Sequence, residues 1–383
     1  MAGIVFNQPT AIPLILQITL SCLTVYLVYL ITLKIFLSRP AALAASLLYA
    51  GEPQSVLYSA KLMTETLFAF LLAGLLYLLI LYLTRPRLRF LLAAAATGTA
   101  LAYVRPIGYY LPFLIALFIG INSHIRHRFW SVFFPPLLLF LLLSYGLLLP
   151  WQVRNSRQAG YSGFSAIADC NLYFHTMPAI MAHQPGREYT EIKAQMKVQS
   201  YEDFCRAQSE LPGDSQGAAL RQMKRQALFA ISRDIPFFTW LHVKGMLRTL
   251  IGPGATEFIK LFNLKKYLPG KMDDQLGMLA PLSRIIYVLV KNPVFTALAV
   301  FLDLVLALYL FLSIYPSIKR KIHAQGPVLL LLTVTLYFII LSGGFVGQSR
   351  LRHPIMPIIC IFAGYGLHLF WTQKNWYETP AAI

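Results

Sequence analysis

Acidic residues are scarce in this chain of 383 residues, which holds 15 aspartates and glutamates against 33 lysines and arginines. Charged residues make up 13% of the chain, while 57% are hydrophobic and the mean hydropathy is +0.61. A soluble protein of one or two domains does not fit these values, so the composition indicates an integral membrane protein. Basic residues of such proteins gather in short cytoplasmic loops beside anionic lipid, so the net charge of +18 is no argument for nucleic-acid binding.

Motifs for nucleotide and metal binding are also missing. The chain has no GxxxxGK[ST] loop to cradle phosphates, which argues against a nucleotide-driven pump or a nucleotide-sugar enzyme. No two of the four cysteines have CxxC spacing, which argues against a redox or metal motif. Cys170 and Cys205 lie in a long polar segment and are disulfide candidates if that segment faces an oxidising compartment; two free buried thiols are the alternative.

Long hydrophobic runs dominate the rest of the chain, and a run of about 20 apolar residues predicts a membrane span. About nine such runs are found, near 11–33, 41–60, 64–84, 88–104, 107–121, 130–150, 293–315, 327–345 and 354–371. They predict an all-α polytopic membrane protein. Its parts are a first transmembrane block at 1–150, a partly helical segment outside the cytoplasm at 151–291, and a second transmembrane block at 292–383.

The orientation follows from the basic residues of the short loops, which stay in the cytoplasm. If every run crosses once, one side receives Lys34, Arg39, Arg85, Arg87, Arg89, Arg126, Arg128, Lys319, Arg320, Lys321 and Lys374. That side is predicted to be cytoplasmic, which places the long segment on the outer face. Within it, Ile235–Ile251 mixes aromatic and basic residues and is predicted to lie on the membrane as an interfacial amphipathic helix.

Five basic residues break this charge rule, because they fall at the outer ends of spans. They are Lys61, Arg105, Arg154, Arg350 and Arg352. Side chains that reach up to lipid headgroups explain one or two such residues. Five on one face are better explained as a cationic site for phosphate, which arginine grips with two parallel hydrogen bonds.

Glu65 opens a predicted span on the same face and has two interpretations. It is either a helix-start residue that complements the helix dipole, with Thr64 as a cap, or a general base or metal ligand that faces the cations. The second arrangement suits the transfer of a sugar from a phosphate leaving group. Asp303 lies in the middle of a span among apolar neighbours and is left without a role.

Four short stretches lie one after another along the chain at these helix ends. They are Pro53 with Leu57–Glu65, Ala102–Pro106, Leu149–Asn155, and Ser349–Pro354 followed by Pro357. Together they resemble the C-type, polytopic membrane glycosyltransferases, near the dolichyl-phosphate-mannose protein mannosyltransferases and the bacterial aminoarabinose transferases of lipid A. The resemblance implies transfer of a sugar from a polyprenyl- or dolichyl-phosphate carrier to a glycan, lipid or protein acceptor. It also implies a multi-pass protein of the bacterial inner membrane that binds membrane lipid and no nucleic acid.

Within this resemblance Glu65 is the catalytic candidate, and Lys61, Arg105, Arg154, Arg350 and Arg352 are the candidates for holding the carrier phosphate. A divalent metal, Mg or Mn, is optional, since the cations are able to neutralise the phosphate. Enzymes of that family begin with a helix and an outer loop that carries an acidic catalytic residue, so we expect this chain to lack its main catalytic carboxylate or to have a misassigned start. The alternatives are a transporter or flippase of lipid-linked saccharide and an inactive relative.

Overall fold

The computed structural model describes residues 11–124, 134–184, 188–196, 213–262, 292–319 and 325–374. All regular structure in these ranges is helical. The first block contains α1 (Ala11–Phe36), α2 (Arg39–Ala50), α3 (Pro53–Ser59), α4 (Thr64–Thr84), α5 (Leu88–Val104), α6 (Leu111–His124) and α7 (Phe134–Ala159).

The polar segment that follows contains helices of 5 to 21 residues. They are α8 (Ile167–Asn171), a π-helical turn (Leu172–Thr176), α9 (Met177–Met181), α10 (Tyr189–Gln195), α11 (Gly213–Arg233), α12 (Ile235–Ile251) and α13 (Ala255–Leu261). The second block contains α14 (Pro293–Ile318), α15 (Gly326–Leu341), a 3₁₀ helix (Ser349–Ile355) and α16 (Met356–Lys374).

Both blocks contain helices with the length and composition of membrane spans. Five described segments are long and apolar enough to cross a membrane: α1, α4, α7, α14 and the run Ser349–Thr372. Three shorter apolar helices accompany them, at Leu88–Val104, Pro106–Asn122 and Gly326–Leu341. The prediction of an all-α polytopic membrane protein is confirmed.

Residues 41–60 were predicted to form one span, but the structure has two helices there, α2 and α3. α2 is 12 residues long, and α3 begins at Pro53, which lacks the N–H needed to continue the hydrogen-bond ladder of α2. Glu52 caps α3, since its carboxylate accepts hydrogen bonds from the backbone N–H groups of Gln54 (3.1 Å) and Ser55 (2.6 Å).

The two short helices nevertheless run back along α1. α2 begins beside the end of α1, and beyond α3 the carbonyl of Met63 accepts a hydrogen bond from Gln17 Nε2 near the start of α1, at 2.9 Å. The distance along α1 from Gln17 to Phe36 is about 28 Å at 1.5 Å per residue, close to the thickness of a bilayer core. The chain therefore returns across most of the bundle in two helical steps.

One apolar core joins the two helix blocks. Its buried members include Val28 of α1, Leu72 of α4, Phe140 of α7, Phe338 of α15 and Ile361 of α16. α16 packs against both α2 and α14. The boundary drawn at residue 150 falls inside α7, which continues through Pro150 to Ala159.

Candidate functional site

Three helix ends meet at one end of the bundle, which we call the site end. Glu65 lies in the first turn of α4, Arg105 directly follows α5, and Arg350 lies in the 3₁₀ helix before α16. Glu65 Oε1 is 3.3 Å from Arg105 Nη1 and 3.4 Å from Arg350 Nε. The structure thus brings together the predicted catalytic residue and two of the predicted phosphate ligands.

Local sequence explains how Arg105 reaches this position. Pro106 disfavours the helical conformation for the residue before it, and Arg105 is extended, with φ −147° and ψ 125°. This ends α5 and turns the arginine side chain out of the helix. The 3₁₀ turn after it is tight: a Cβ on Gly108 would lie 3.0 Å from the backbone nitrogen of Ala102.

The cluster carries an excess of positive charge, with one carboxylate between two guanidinium groups. Glu65 is 2% exposed, whereas the Arg350 side chain is 37% exposed. A buried charge is costly unless it is paired, so Glu65 stabilises the two arginines in the protein. The open side of the cluster is the side of Arg350, where an anionic ligand has access.

The contacts of Glu65 bear on its two interpretations, and the residue does lie in the first turn of α4. The N-cap of α4 is Met63, which makes no side-chain capping hydrogen bond, so Thr64 is not the cap. The carboxylate of Glu65 faces the arginines of two other elements. A catalytic role for Glu65 stays a prediction.

Lys61 lies in a separate ion pair with a residue that sequence reasoning missed. Its Nζ is 2.6 Å from Glu257 Oε2, and Glu257 belongs to α13. Burial raises the pKa of Glu257, but the hydrogen bond and the positive charge of Lys61 outweigh this effect, and the pKa lies below its ordinary value. Lys61 therefore links the loop before α4 to the polar segment.

Tyr58 lies near both ion pairs, within electrostatic reach of Glu65, Arg350 and Glu257. The tyrosine is fully buried, and its hydroxyl has no hydrogen-bond partner among the described residues. A buried polar group without a partner costs free energy, so such a group beside a candidate site calls for an explanation. Nothing in the sequence distinguishes Tyr58 clearly from the other tyrosines, of which the chain has 21 in all.

Arg352 does not lie where the phosphate prediction requires it. The residue is 2% exposed, and its Nη1 donates hydrogen bonds to the carbonyls of Thr249 (3.0 Å), Leu250 (2.8 Å) and Gly252 (3.0 Å). A 3₁₀ helix has three residues per turn, so side chains two positions apart point roughly 120° away from each other. Arg350 therefore faces Glu65 while Arg352 faces the end of α12.

Arg154 is exposed and stacks on the Trp151 ring, with its Cζ 4.6 Å from the ring centroid. The neighbouring Asn155 donates from Nδ2 to the carbonyls of Gly163 and Phe164, both at 3.1 Å. These contacts fasten the loop after α7. Arg154 is not joined to the ion cluster of Glu65 by any contact that the structure describes, and its phosphate role stays a prediction.

α12 presents two different faces. Leu241, Gly245 and Thr249 are buried on one face. At about 100° per residue the opposite face carries an apolar stripe, here called the outer stripe of α12. Its members are Trp240, Val243, Leu247 and Ile251, which are 46% to 60% exposed. Such a face agrees with an interfacial helix, and its position relative to a membrane stays a prediction.

The metal and disulfide predictions concern other residues. In the described ranges, no group of three or more His, Cys, Asp or Glu side chains is arranged to hold a metal ion, and Glu65 Oε1 faces two guanidiniums. These residues do not fit a Mg or Mn site, so no step below passes through a metal. Cys170 is buried beside Phe174 and Leu220, but Cys205 lies outside the described residues, so the disulfide stays a prediction.

Comparison with known proteins supports the resemblance for the first part of the chain. Residues 4–162 match the family model of dolichyl-phosphate-mannose-protein mannosyltransferases. The matched region, less than half of the chain, contains Lys61, Glu65, Arg105 and Arg154 and ends before Arg350. No curated protein and no solved structure matches the chain. The resemblance to the C-type glycosyltransferases is confirmed, and it supports a membrane glycosyltransferase in general terms.

Proposed function

We propose that this chain is a membrane glycosyltransferase that moves a sugar from a polyprenyl- or dolichyl-phosphate carrier to an acceptor hydroxyl outside the cytoplasm. The observation that carries the proposal is the cluster of Glu65, Arg105 and Arg350 at the site end, two of whose members lie in the region similar to the mannosyltransferases. The acceptor is a glycan, a lipid or a protein. The membrane is the inner membrane of a bacterium, with the polar segment on its outer side.

The cationic cluster holds the carrier phosphate in this proposal. Arg350 is partly exposed and carries the open side of the cluster, so it is the first contact for a phosphate, and Arg105 lies behind it. Guanidinium groups grip phosphate oxygens with charge-assisted hydrogen bonds. A bound phosphate forms an ion pair with Arg350 and weakens the ion pair between Arg350 and Glu65. The carboxylate of Glu65 is then able to orient the acceptor.

The reaction then needs one bond to form and one to break. The acceptor hydroxyl oxygen attacks the anomeric carbon, and the bond from that carbon to the phosphate oxygen breaks with its electron pair on the oxygen. The hydroxyl proton passes to Glu65 or to the departing phosphate. Arg105 and Arg350 stabilise the negative charge that develops on the phosphate, which is the main electrostatic contribution expected of such a site.

Other predicted residues act around this centre. Lys61 is held by Glu257, and Arg154 is exposed on α7, so both are secondary candidates for the phosphate. The outer stripe of α12 lies in the interfacial region of the membrane, where the apolar residues contact lipid tails. In this proposal the polyprenyl chain of the carrier lies in the membrane beside the site end.

The carrier itself tests the proposal, because its phosphate is shared by donors with any sugar. Undecaprenyl phosphate binding is measured with the full chain in lipid nanodiscs. Arg105→Ala and Arg350→Ala are each expected to weaken binding about 10- to 100-fold, since each removes charge-assisted hydrogen bonds. Arg89→Ala is the matched control, because Arg89 lies at the opposite end of α5, where it stacks on Phe90.

Unchanged affinity in both Arg105→Ala and Arg350→Ala would overturn the phosphate site. The transfer step is tested with undecaprenyl-phosphate mannose, glucose and aminoarabinose as donors and a radiolabelled sugar. Sugar transfer by the wild type supports the enzyme, and its loss in Glu65→Gln protein that still binds the carrier supports a role of Glu65 in the transfer step. Carrier binding without transfer from these donors favours the flippase or the inactive relative.

A further inference from the structure

The guanidinium group of Arg352 is a buried link between α12 and the turn that carries Arg350. Its Nη1 lies 2.8–3.0 Å from three carbonyl oxygens, those of Thr249, Leu250 and Gly252. The last carbonyls of a helix have no partners within the helix, and a cation is favoured there by the helix dipole. Arg352 thus satisfies the end of α12 from outside the helix.

The contact between α12 and the segment before Arg350 leaves little room for adjustment. A Cβ on Gly245 would lie 2.1 Å from the carbonyl oxygen of Gly344, and one on Gly347 would lie 2.5 Å from the carbonyl oxygen of Gly245. The backbone N–H of Gly344 also donates to the carbonyl of His242 at 3.3 Å. Two backbones in such contact move together, since no flexible side chain lies between them.

The same short 3₁₀ helix therefore faces two partners. Arg350 reaches Glu65 at the start of α4, and Arg352, two residues on, reaches the end of α12. The helix spans only Ser349–Ile355, so a displacement of one arginine is transmitted to the other. The orientation of Arg350 in the ion cluster depends in this way on whether α12 is docked.

We infer that Arg352 is a positioning residue: by holding the last carbonyls of α12, it sets the 3₁₀ helix so that Arg350 reaches the ligand site. This inference rests on the proposed function for its consequence on carrier binding, while the link itself does not. In this inference α12 contacts lipid and also determines the position of the 3₁₀ helix that carries Arg350. Because α12 contacts the membrane and is bound to the 3₁₀ helix through Arg352, the affinity of the site for the phosphate depends on the position of α12.

The test is a double-mutant cycle with Arg352→Met, which removes the guanidinium and keeps an unbranched side chain. In the full chain, Arg352→Met is expected to weaken undecaprenyl phosphate binding about tenfold, a size typical of coupled neighbours. In the Arg350→Ala background the same substitution is expected to have no further effect, because Arg352 acts through Arg350. A general loss of structure would lower affinity in both backgrounds, so equal fold losses in the two would overturn the inference.

Hydrogen exchange provides a readout that is independent of the proposed function. The backbone amides of residues 249–252 and of Gly254 are expected to exchange faster in Arg352→Met and at the wild-type rate in Arg350→Ala. Unchanged exchange in Arg352→Met would overturn the link. If Arg105→Ala and Arg350→Ala both bind the carrier as the wild type does, the proposed phosphate site fails, while the exchange measurement still decides the link.

A milder variant covers the case in which Arg352→Met does not give a folded, monodisperse protein. Arg352→Lys keeps the charge but replaces the guanidinium by an ammonium group, which cannot reproduce the fork geometry. Intermediate exchange rates and a smaller loss of affinity, again absent in the Arg350→Ala background, support the inference. Wild-type exchange rates in Arg352→Lys, or an affinity loss of the same size in the wild-type and Arg350→Ala backgrounds, contradict it.

Discussion

The two ends of the helix bundle carry basic residues in opposite settings. Arg85 and Arg87 are exposed in the short loop before α5, and Arg89 is exposed in the first turn of α5. At the site end, Arg105 and Lys61 are mostly buried, and each lies against a carboxylate. The first setting is that of charges that remain in solvent beside lipid headgroups, and the second is that of charges held in place within the protein.

This difference explains why counting charges gives only part of the information. Exposed arginines in a loop are worth little to stability, because water already solvates them. Buried arginines need a partner, either a carboxylate or a set of carbonyl oxygens, and that partner determines where they point. The scarce acidic residues of the chain are therefore more informative than its abundant basic ones, since Glu65 and Glu257 mark where cations are held.

The largest expected effect on stability comes from removing the carboxylate of Glu65, which pairs with the arginines at the site end but has no counterpart beside Arg89 among the described residues. Glu65→Gln leaves Arg105 and Arg350 without a counter-ion, which is expected to lower the free energy of unfolding by about 3 kcal/mol or more. The measurement is thermal or denaturant unfolding of the full chain in detergent. Arg89→Ala, at the opposite end, is expected to change stability by no more than about 0.5 kcal/mol.

Equal effects of Glu65→Gln and Arg89→Ala on the free energy of unfolding would contradict the contrast between paired charges at the site end and solvated charges at the opposite end. It is sharpened by the double variant Glu65→Gln with Arg350→Gln. This variant is expected to lose less stability than the two single losses add up to, because residues of one ion cluster are coupled.

A smaller effect is expected from Tyr58→Phe, which separates stability from ligand binding at the site end. The hydroxyl of Tyr58 is buried without a partner among the described residues, so its removal is expected to leave stability unchanged or slightly raised. If the hydroxyl donates to the ligand, the affinity for undecaprenyl phosphate falls roughly 2- to 10-fold. Stability that drops by more than about 1 kcal/mol would show that the hydroxyl has a structural partner instead.

The smallest effect concerns pH and the pair of Lys61 and Glu257. The pKa of Glu257 is lowered in the folded protein, so the pair contributes stability above the ordinary pKa of glutamate and loses it as the pH falls through the lowered pKa. The contribution is about 1 kcal/mol or less, since both side chains are partly exposed. Melting temperatures between pH 7 and about pH 3 are compared for the wild type and Glu257→Gln, whose curve is expected to fall less on acidification. Parallel curves would contradict this contribution.

Several features of the fold were predictable because they follow from local composition. Apolar runs mark the spans, since a helix needs about 20 apolar residues to cross a bilayer. The break between α2 and α3 had a signal that the run-length criterion did not weigh, namely Gly51 and Pro53 around Glu52. A count of apolar residues passes over such a break because two short helices have the same composition as one long helix.

The site was predictable to a smaller extent. Placing Glu65, Arg105 and Arg350 at helix ends on one side follows from the alternation of spans, and these three residues do meet. The partner of Lys61 was not predictable, because Glu257 lies 196 positions away in the chain. Arg352 was grouped with Arg350 on account of its charge and its spacing of two, and neither property shows which way a side chain points.

By itself the sequence determined that this chain folds as apolar helices in a membrane and that cations collect at the ends of these helices. Hydropathy and charge act through solvation, which depends on residue type and hardly on distant contacts. Only the tertiary structure decided which cations face a carboxylate and which face backbone carbonyls. That choice depends on helix packing and on the twist of a single 3₁₀ turn, which brings Arg350 to Glu65 and turns Arg352 to the end of α12.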